Sequence, residues 1–272
     1  MKNHIEFPGL GLDFMIDRRA IWFEGVSWPV IYWYALIIVT GFVLATWYGF
    51  RRAKELGTDK DHLMDALLLA VPMAIVGARI YHVAFDFDQY RDNLLSIFYV
   101  WEGGISIYGA IIGAMLAFVI YAKRKKEACL PAMMDAGALG LLIGQSIGRW
   151  GNFVNGEEFG VATDLPWRMV VNGTVAHPAF LYESLWNAVG FVILHFYSKR
   201  RKFKGEIFLL YTAWYGLGRA IIESIKAKEY VIPGTSLLVS QVVAIVAFAS
   251  SVVALIIMYR KKEKEKNGSK NN

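Results

Sequence analysis

Between Gly148 and Gly160 the chain reads GRWGNFVNGEEFG, which sets Arg149, Asn152, Asn155, Glu157 and Glu158 close together at the end of an apolar run. An ionisable side chain beside hydrocarbon costs about 3 kcal/mol or more unless it faces a cavity or a partner, so charge in that position marks a site. Two further arginines, Arg79 and Arg219, also fall inside apolar runs. The planar guanidinium suits bidentate recognition of phosphate or carboxylate. Arginines converging at headgroup depth therefore read as a site for an anionic lipid or phosphate, whereas snorkelling or a structural salt bridge accounts for any one of them alone. Helical spacing puts Tyr215, Arg219 and Glu223 on one stripe, with Lys226 a further turn on, and Gln145 with Arg149 on another. Two more polar clusters belong at the same depth. Tyr34 follows Tyr32 and Trp33, a group that also fits an ordinary aromatic belt, and HPAFLYE contributes His177, Tyr182 and Glu183 behind Pro178.

These residues must be positioned by membrane helices. Apolar residues make up 56% of the chain and its mean hydropathy is +0.38, too oily for a water-soluble domain. Runs of about 20 residues, enough to cross a core roughly 30 Å thick, occur near 29–49, 63–85, 104–122, 131–149, 178–197, 206–224 and 237–258. The expectation is an all-α polytopic membrane protein with seven transmembrane helices. One membrane domain over 1–258 is expected, followed by a polar, basic and disordered cytoplasmic tail at 259–272.

Lysine and arginine set the orientation, because short cytoplasmic loops hold an excess of them. Arg51, Arg52 and Lys54 follow the first run, Lys123 to Lys126 the third, Lys199 to Lys204 the fifth and Arg260 onward the seventh. The N-terminus is thus expected outside and the C-terminus inside, with Arg79, Arg149 and Arg219 in the outer half. The net charge of +6 reflects this topology, and no basic soluble face points to nucleic acid. Residues 1–28 hold Glu6, Pro8 and Asp13 and lack the pattern of a cleaved signal, so the first run reads as an uncleaved signal-anchor.

Smaller features complete the picture. Gly140, Gly144 and Gly148 form a small-residue ladder, as do Gly109 and Gly113, where a second helix can approach closely. Asn172-Gly173 lies between two β-prone runs, the signature of a two-residue hairpin, so a small extracytoplasmic head is expected at about 150–177. The lone Cys129 forms no intramolecular disulfide and reads as a packing residue. No Cys or His cluster has ligand spacing, and neither a metal nor another cofactor is expected.

Six segments in register carry a resemblance: WYALIIVTGF, VGARIYHVAF, WEGGISIYGAIIG, GRWGNFVNGEEFG, HPAFLYE and YGLGRAIIE. The chain resembles the bacterial prolipoprotein diacylglyceryl transferases over nearly all of its length. The resemblance implies a multi-pass plasma-membrane enzyme with its active site toward the extracytoplasmic half. Its donor would be phosphatidylglycerol and its acceptor the lipobox cysteine of a prolipoprotein signal peptide. The diacylglyceryl group would pass to that sulfur with release of glycerol phosphate.

The family's essential arginine and asparagine fall on Arg149 and Asn152, with Asn155, Glu157 and Gly160 matching the rest of the signature. The sixth-helix arginine falls on Arg219, with Tyr215 and Glu223 beside it, the first-helix tyrosine on Tyr34 and the second-helix arginine on Arg79. Arg149, Asn152, Arg219, Tyr34 and Glu157 are implied as catalytic. Arg149, Arg219, Arg79, Tyr215 and Glu223 are implied to bind the lipid, and Tyr108, Asn155, Gly160, His177, Tyr182 and Glu183 to support them. Arg149 and Arg219 would hold the phosphate, Asn152 and Glu157 organise the loop, and Tyr34 position donor or thiol. Tyr108 stands where many relatives have histidine and, with an unperturbed pKa of about 10, is expected only to donate a hydrogen bond. Lys226 stands where arginine is common. An anion or lipid transporter using the same arginines is the alternative, but it predicts repeats and broken helices in two halves, and none is visible.

Overall fold

The computed structural model describes residues 2–22, 30–226 and 238–268. Among these residues seven long helices form where the apolar runs lie: α1 (Trp33–Ala53), α2 (Lys60–Phe85), α3 (Ile107–Arg124), α4 (Leu130–Asn155), α5 (Ala179–Tyr197), α6 (Glu206–Glu223) and α7 (Val239–Gly268). Six of them are long and apolar enough to cross a membrane, so the chain is an all-α polytopic membrane protein with a small β appendage. The helix outside that set is α6, whose Glu206, Arg219 and Glu223 interrupt its apolar run.

Helix boundaries depart from the expected spans for local reasons. α3 starts at Ile107, because Gly103 (φ 92°) and Gly104 (φ 68°) hold a left-handed backbone that a helix cannot continue. α4 runs past 149 to Asn155, which puts Arg149 and Asn152 on helix rather than in a loop. It ends in a Schellman closure, with Gly156 (φ 65°) donating to the Phe153 carbonyl at 3.0 Å and Glu157 to the Asn152 carbonyl at 3.1 Å. α7 continues through the expected disordered tail as far as Gly268. Lysine and glutamate are good helix formers, and Lys262 pairs with Glu265 at 2.9 Å. The expected span starts at 29 and 237, and the last four residues of the tail, lie outside the described residues.

The chain divides into two compact units, Phe50–Ala136 and the combination of Met1–Gly49 with Gly137–Asn272. In the first, α2 and α3 pack at glycines. Side chains at Gly77, Gly109 or Gly113 would overlap the facing backbone, so bare Cα atoms permit the close approach. In the second, the ladder on α4 meets α1: a Cβ on Gly140 would lie 2.9 Å from the Ala45 carbonyl oxygen, and Gly144 faces Gly41. α5 and α6 are locked by a tryptophan pair. Trp186 and Trp214 stack at 4.5 Å, and each indole N–H donates to the other's carbonyl at 3.0 Å.

The β appendage also belongs to the second unit. Strands β1 (Lys2–Phe7), β2 (Leu12–Asp17), β5 (Met169–Val171) and β6 (Thr174–Ala176) form one antiparallel sheet in the order β2-β1-β5-β6, while β3 (Arg19–Ile21) pairs with β4 (Ile31–Tyr32). The β5–β6 hairpin turns at Asn172 (φ 49°) and Gly173 (φ 83°), the two left-handed positions that the Asn-Gly pair anticipates. The expected head is nevertheless incomplete, because β1 and β2 supply half of its sheet. Their signal is the alternation in NHIEF, where Ile5 and Phe7 are buried and His4 and Glu6 are not. Ile5, Phe7, Met169, Val171 and Phe180 form the head's core, and Phe153 packs on Phe180 at 4.7 Å. Buried Asn3 donates to the Val154 carbonyl at 2.9 Å, so the N-terminal strand holds the end of α4 and its signature residues in place.

Candidate active site

One buried carboxylate organises the site. Glu183, on the second turn of α5, is 4% exposed and pairs with three cations. Arg149 comes from α4, Arg219 from α6 at 3.3 Å, and Lys226 from just beyond α6 at 2.7 Å. Arg219 also pairs through Nε with Glu223, four residues on, at 2.9 Å, and Ser240 of α7 donates to the other Glu223 oxygen at 2.7 Å. Lys226 bridges further to Glu158 at 2.7 Å. Burial alone would raise the Glu158 carboxyl, but the hydrogen bond and charge of Lys226, with Arg149 and Arg219 at longer range, hold it below the ordinary carboxylate range.

Three cations thus face three carboxylates. Charges removed from water need such pairing, and buried pairs tolerate little disorder. The arginines nevertheless keep donors in reserve. Arg149 uses Nη2, while its Nε and Nη1 have no partner among the described residues, and the same holds for Nη2 of Arg219. Both side chains remain about one-fifth exposed. Guanidiniums aligned by carboxylates, with open N–H edges, form a ready receptor for a phosphate.

Arg79 is placed differently. It is buried within the α2–α3 unit, where Nε donates to the Ile97 carbonyl, Nη1 to Gly103 and Gly104, and Nη2 to Ser96 and, at 3.5 Å, to Tyr99. A guanidinium has five N–H groups, and all are committed to the loop that enters α3. These bonds give Arg79 a structural role in that loop, beside which the lipid contact implied for it stands as a proposal. Sequence alone could not separate the two uses, because both favour a guanidinium near a membrane boundary.

The remaining residues divide by role. The Glu157 carboxylate accepts from the amides of Asn152 and Asn155, both at 3.2 Å, and ties the loop back to its own helix. Tyr34 lays its ring over Gly151, where a Cβ would come within 2.8 Å. Gly160 forms a bridge with Lys226 and donates to the His177 carbonyl at 2.9 Å. A side chain there would meet the Ile225 carbonyl oxygen at 2.6 Å, so glycine is the residue that lets Lys226 reach Glu183. Tyr182 accepts from the Trp167 indole at 2.7 Å and faces His177 at 3.4 Å, a support for the head. Tyr215 stacks on Tyr211 and borders a small cavity with Glu183 and Arg219. Tyr108 sits beside Tyr81 in the α2–α3 unit.

Residue patterns alone undervalued Glu183, Lys226 and Glu158. An acid inside an apolar run, as in HPAFLYE, is itself the signal for Glu183. Glu158 offers none, since its left-handed backbone (φ 58°) becomes visible only in the structure.

Comparisons with known proteins identify the family. The profile of the prolipoprotein diacylglyceryl transferase family, LGT, matches residues 24–257. A phosphatidylglycerol–prolipoprotein diacylglyceryl transferase of Streptococcus pneumoniae is 40% identical over 260 residues, covering 91% of this chain and 96% of the relative. Those of Enterococcus faecalis (39% over 244 residues, 85% of this chain and 87% of the relative) and Clostridioides difficile (35% over 246 residues, 90% and 97%) are similar as well. With full-length relatives and an intact signature, the chain belongs to the prolipoprotein diacylglyceryl transferase family.

Proposed function

We propose that the cluster around Glu183 is where this chain carries out its reaction, the transfer of the diacylglyceryl group of phosphatidylglycerol to the thiol of a prolipoprotein cysteine. The observation that supports this placement is the convergence of Arg149 and Arg219, from different helices, on one buried carboxylate, with N–H edges that have no partner among the described residues. The protein is a multi-pass bacterial membrane transferase.

In the reaction the acceptor thiol loses its proton, and the thiolate attacks the glyceryl carbon that bears the phosphate. A sulfur–carbon bond forms as the carbon–oxygen bond breaks, and the electron pair leaves with glycerol phosphate. The phosphate passes from one negative charge toward two, so catalysis requires positive donors already in place where that charge grows. Arg149 and Arg219 supply them, and Lys226 adds a third positive charge. Glu183 and Glu223 keep the guanidiniums aligned before substrate arrives, which removes reorganisation from the barrier. Asn152 and Glu157 brace the end of α4, and Tyr34 positions donor or thiol; Tyr108, in the α2–α3 unit, is proposed only as a hydrogen-bond donor.

In this reading α6 is a seventh span, its Arg219 and Glu223 turned toward partners on α5 and α7. The basic residues that close α1, α3 and α5 support a cytoplasmic location for those ends. The site then faces the extracytoplasmic half, where a lipobox cysteine emerges. The test incubates purified protein with a lipobox peptide and phosphatidylglycerol and reads the peptide by mass spectrometry. A diacylglyceryl mass gain with the parent protein, absent with Arg149→Ala, is expected; an equal gain with both would remove Arg149 from the site.

A further inference from the structure

Asn187 lies one turn along α5 from Glu183 and is 3% exposed, yet its Oδ1 has no hydrogen-bond donor among the described residues. Buried polar atoms are nearly always matched, and an unmatched one costs about 1–3 kcal/mol. The amide lines a cavity of about 10 Å3 together with Glu183, Tyr215 and Arg219, walled by Trp186 and Ile222. That volume suits about one oxygen atom with its hydrogens. The wall is stiff, because Trp186 is stacked and doubly hydrogen-bonded to Trp214, and Gly218 has no side chain where a Cβ would overlap the Trp186 indole.

The lining selects the occupant by chemistry. Asn187 Oδ1 and the Glu183 carboxylate only accept, which disfavours an anion. The Arg219 guanidinium only donates, which disfavours a cation. A neutral O–H group satisfies both sides, donating to Asn187 and accepting from Arg219. We propose that this cavity is a one-oxygen hydroxyl site built around Asn187, taking either a hydroxyl of the phosphatidylglycerol headgroup or a single water. With the lipid hydroxyl, Asn187 reads the donor headgroup. With water, it is a positioning residue that steadies Arg219. The proposal rests on the transferase reading above.

The test compares rates of transfer to a lipobox peptide from phosphatidylglycerol and from phosphatidylpropanol, which keeps the phosphodiester but has no free headgroup hydroxyl. Parent protein, Asn187→Leu, Asn187→Ser and Arg149→Ala are measured side by side, with thermal unfolding as the check on folding. If the lipid hydroxyl occupies the site, the parent prefers phosphatidylglycerol by about five- to tenfold. Asn187→Leu then loses the preference through a raised KM for that lipid alone, and Asn187→Ser, which keeps an acceptor, restores it. If water occupies it, Asn187→Leu lowers kcat for both lipids alike by about the same factor, and Asn187→Ser recovers it. Unchanged kcat, KM and preference in a folded Asn187→Leu overturn the proposal. Asn187→Ala removes the acceptor without adding bulk and repeats the comparison should the leucine variant fail to fold. Absence of any transfer by the parent protein would instead refute the transferase reading itself.

Discussion

Replacing Glu183 with glutamine keeps the size of the side chain and one acceptor oxygen but deletes the charge that three cations share. Arg149, Arg219 and Lys226 would then face only Glu158 and Glu223, taking the cluster from formally neutral to +1. Each pair is worth about 4 kcal/mol in gross Coulomb energy at an effective dielectric of 20, and desolvation offsets most of that sum. What remains visible is the cost of leaving buried cations uncompensated, about 3–5 kcal/mol, or a fall in Tm of roughly 6–20 °C at the response expected for a chain of this size. Catalysis should separate from binding. The added positive charge favours the anionic lipid, so KM for phosphatidylglycerol holds or falls. A guanidinium displaced by about 1 Å costs kcat roughly a hundredfold. The assay is steady-state transfer to a lipobox peptide over a range of phosphatidylglycerol, alongside thermal unfolding. A Glu183→Gln protein that matches the parent in both kcat and Tm would show that the carboxylate neither supports nor aligns the arginines.

Three other outcomes follow from the same geometry. Glu158 titrates below the ordinary carboxylate range because of Lys226, so its pair contributes stability above the unfolded pKa of about 4.5 and loses it as pH falls toward the lowered folded value. Thermal scans of Glu158→Gln and the parent should therefore differ at pH 6–7 and converge in acid, whereas a constant gap would contradict the assignment. Gly160→Ala forces a methyl against the Ile225 carbonyl and His177, so stability should drop by about 1–3 kcal/mol and transfer should weaken as Lys226 shifts, both read in one preparation. Tyr108→Phe should retain transfer within about tenfold at every pH, the worth of one hydrogen bond; complete loss across the pH range would make Tyr108 more than a donor.

Much of the fold was legible because lipid imposes a simple rule: backbone groups must be satisfied within a helix, so apolar runs of about 20 residues declare themselves. Asn172-Gly173 was legible for a comparable reason, since few residue pairs accept two successive left-handed positions. The N-terminal strands were harder to see. Each is only six residues long, and strand β1 is completed by β5, more than 160 positions away. α6 illustrates a different limit. Its charges weaken the hydropathy signal of a span, and only the neighbours at Glu183 and Ser240 show why they are tolerated.

The sequence by itself determined which residues are charged within apolar helices and, through the signature segment, the family and its reaction. Spacing along a helix also put Arg219 and Glu223 on one face, because that geometry is local. The tertiary structure alone decided which charges meet. Arg79 and Arg149 look equivalent in one dimension, yet one is saturated by carbonyls and the other is held open by a carboxylate 34 positions away. A guanidinium binds whatever acceptors the packing brings within about 3 Å, and that is set by which helices cross, here at glycines and around a tryptophan pair.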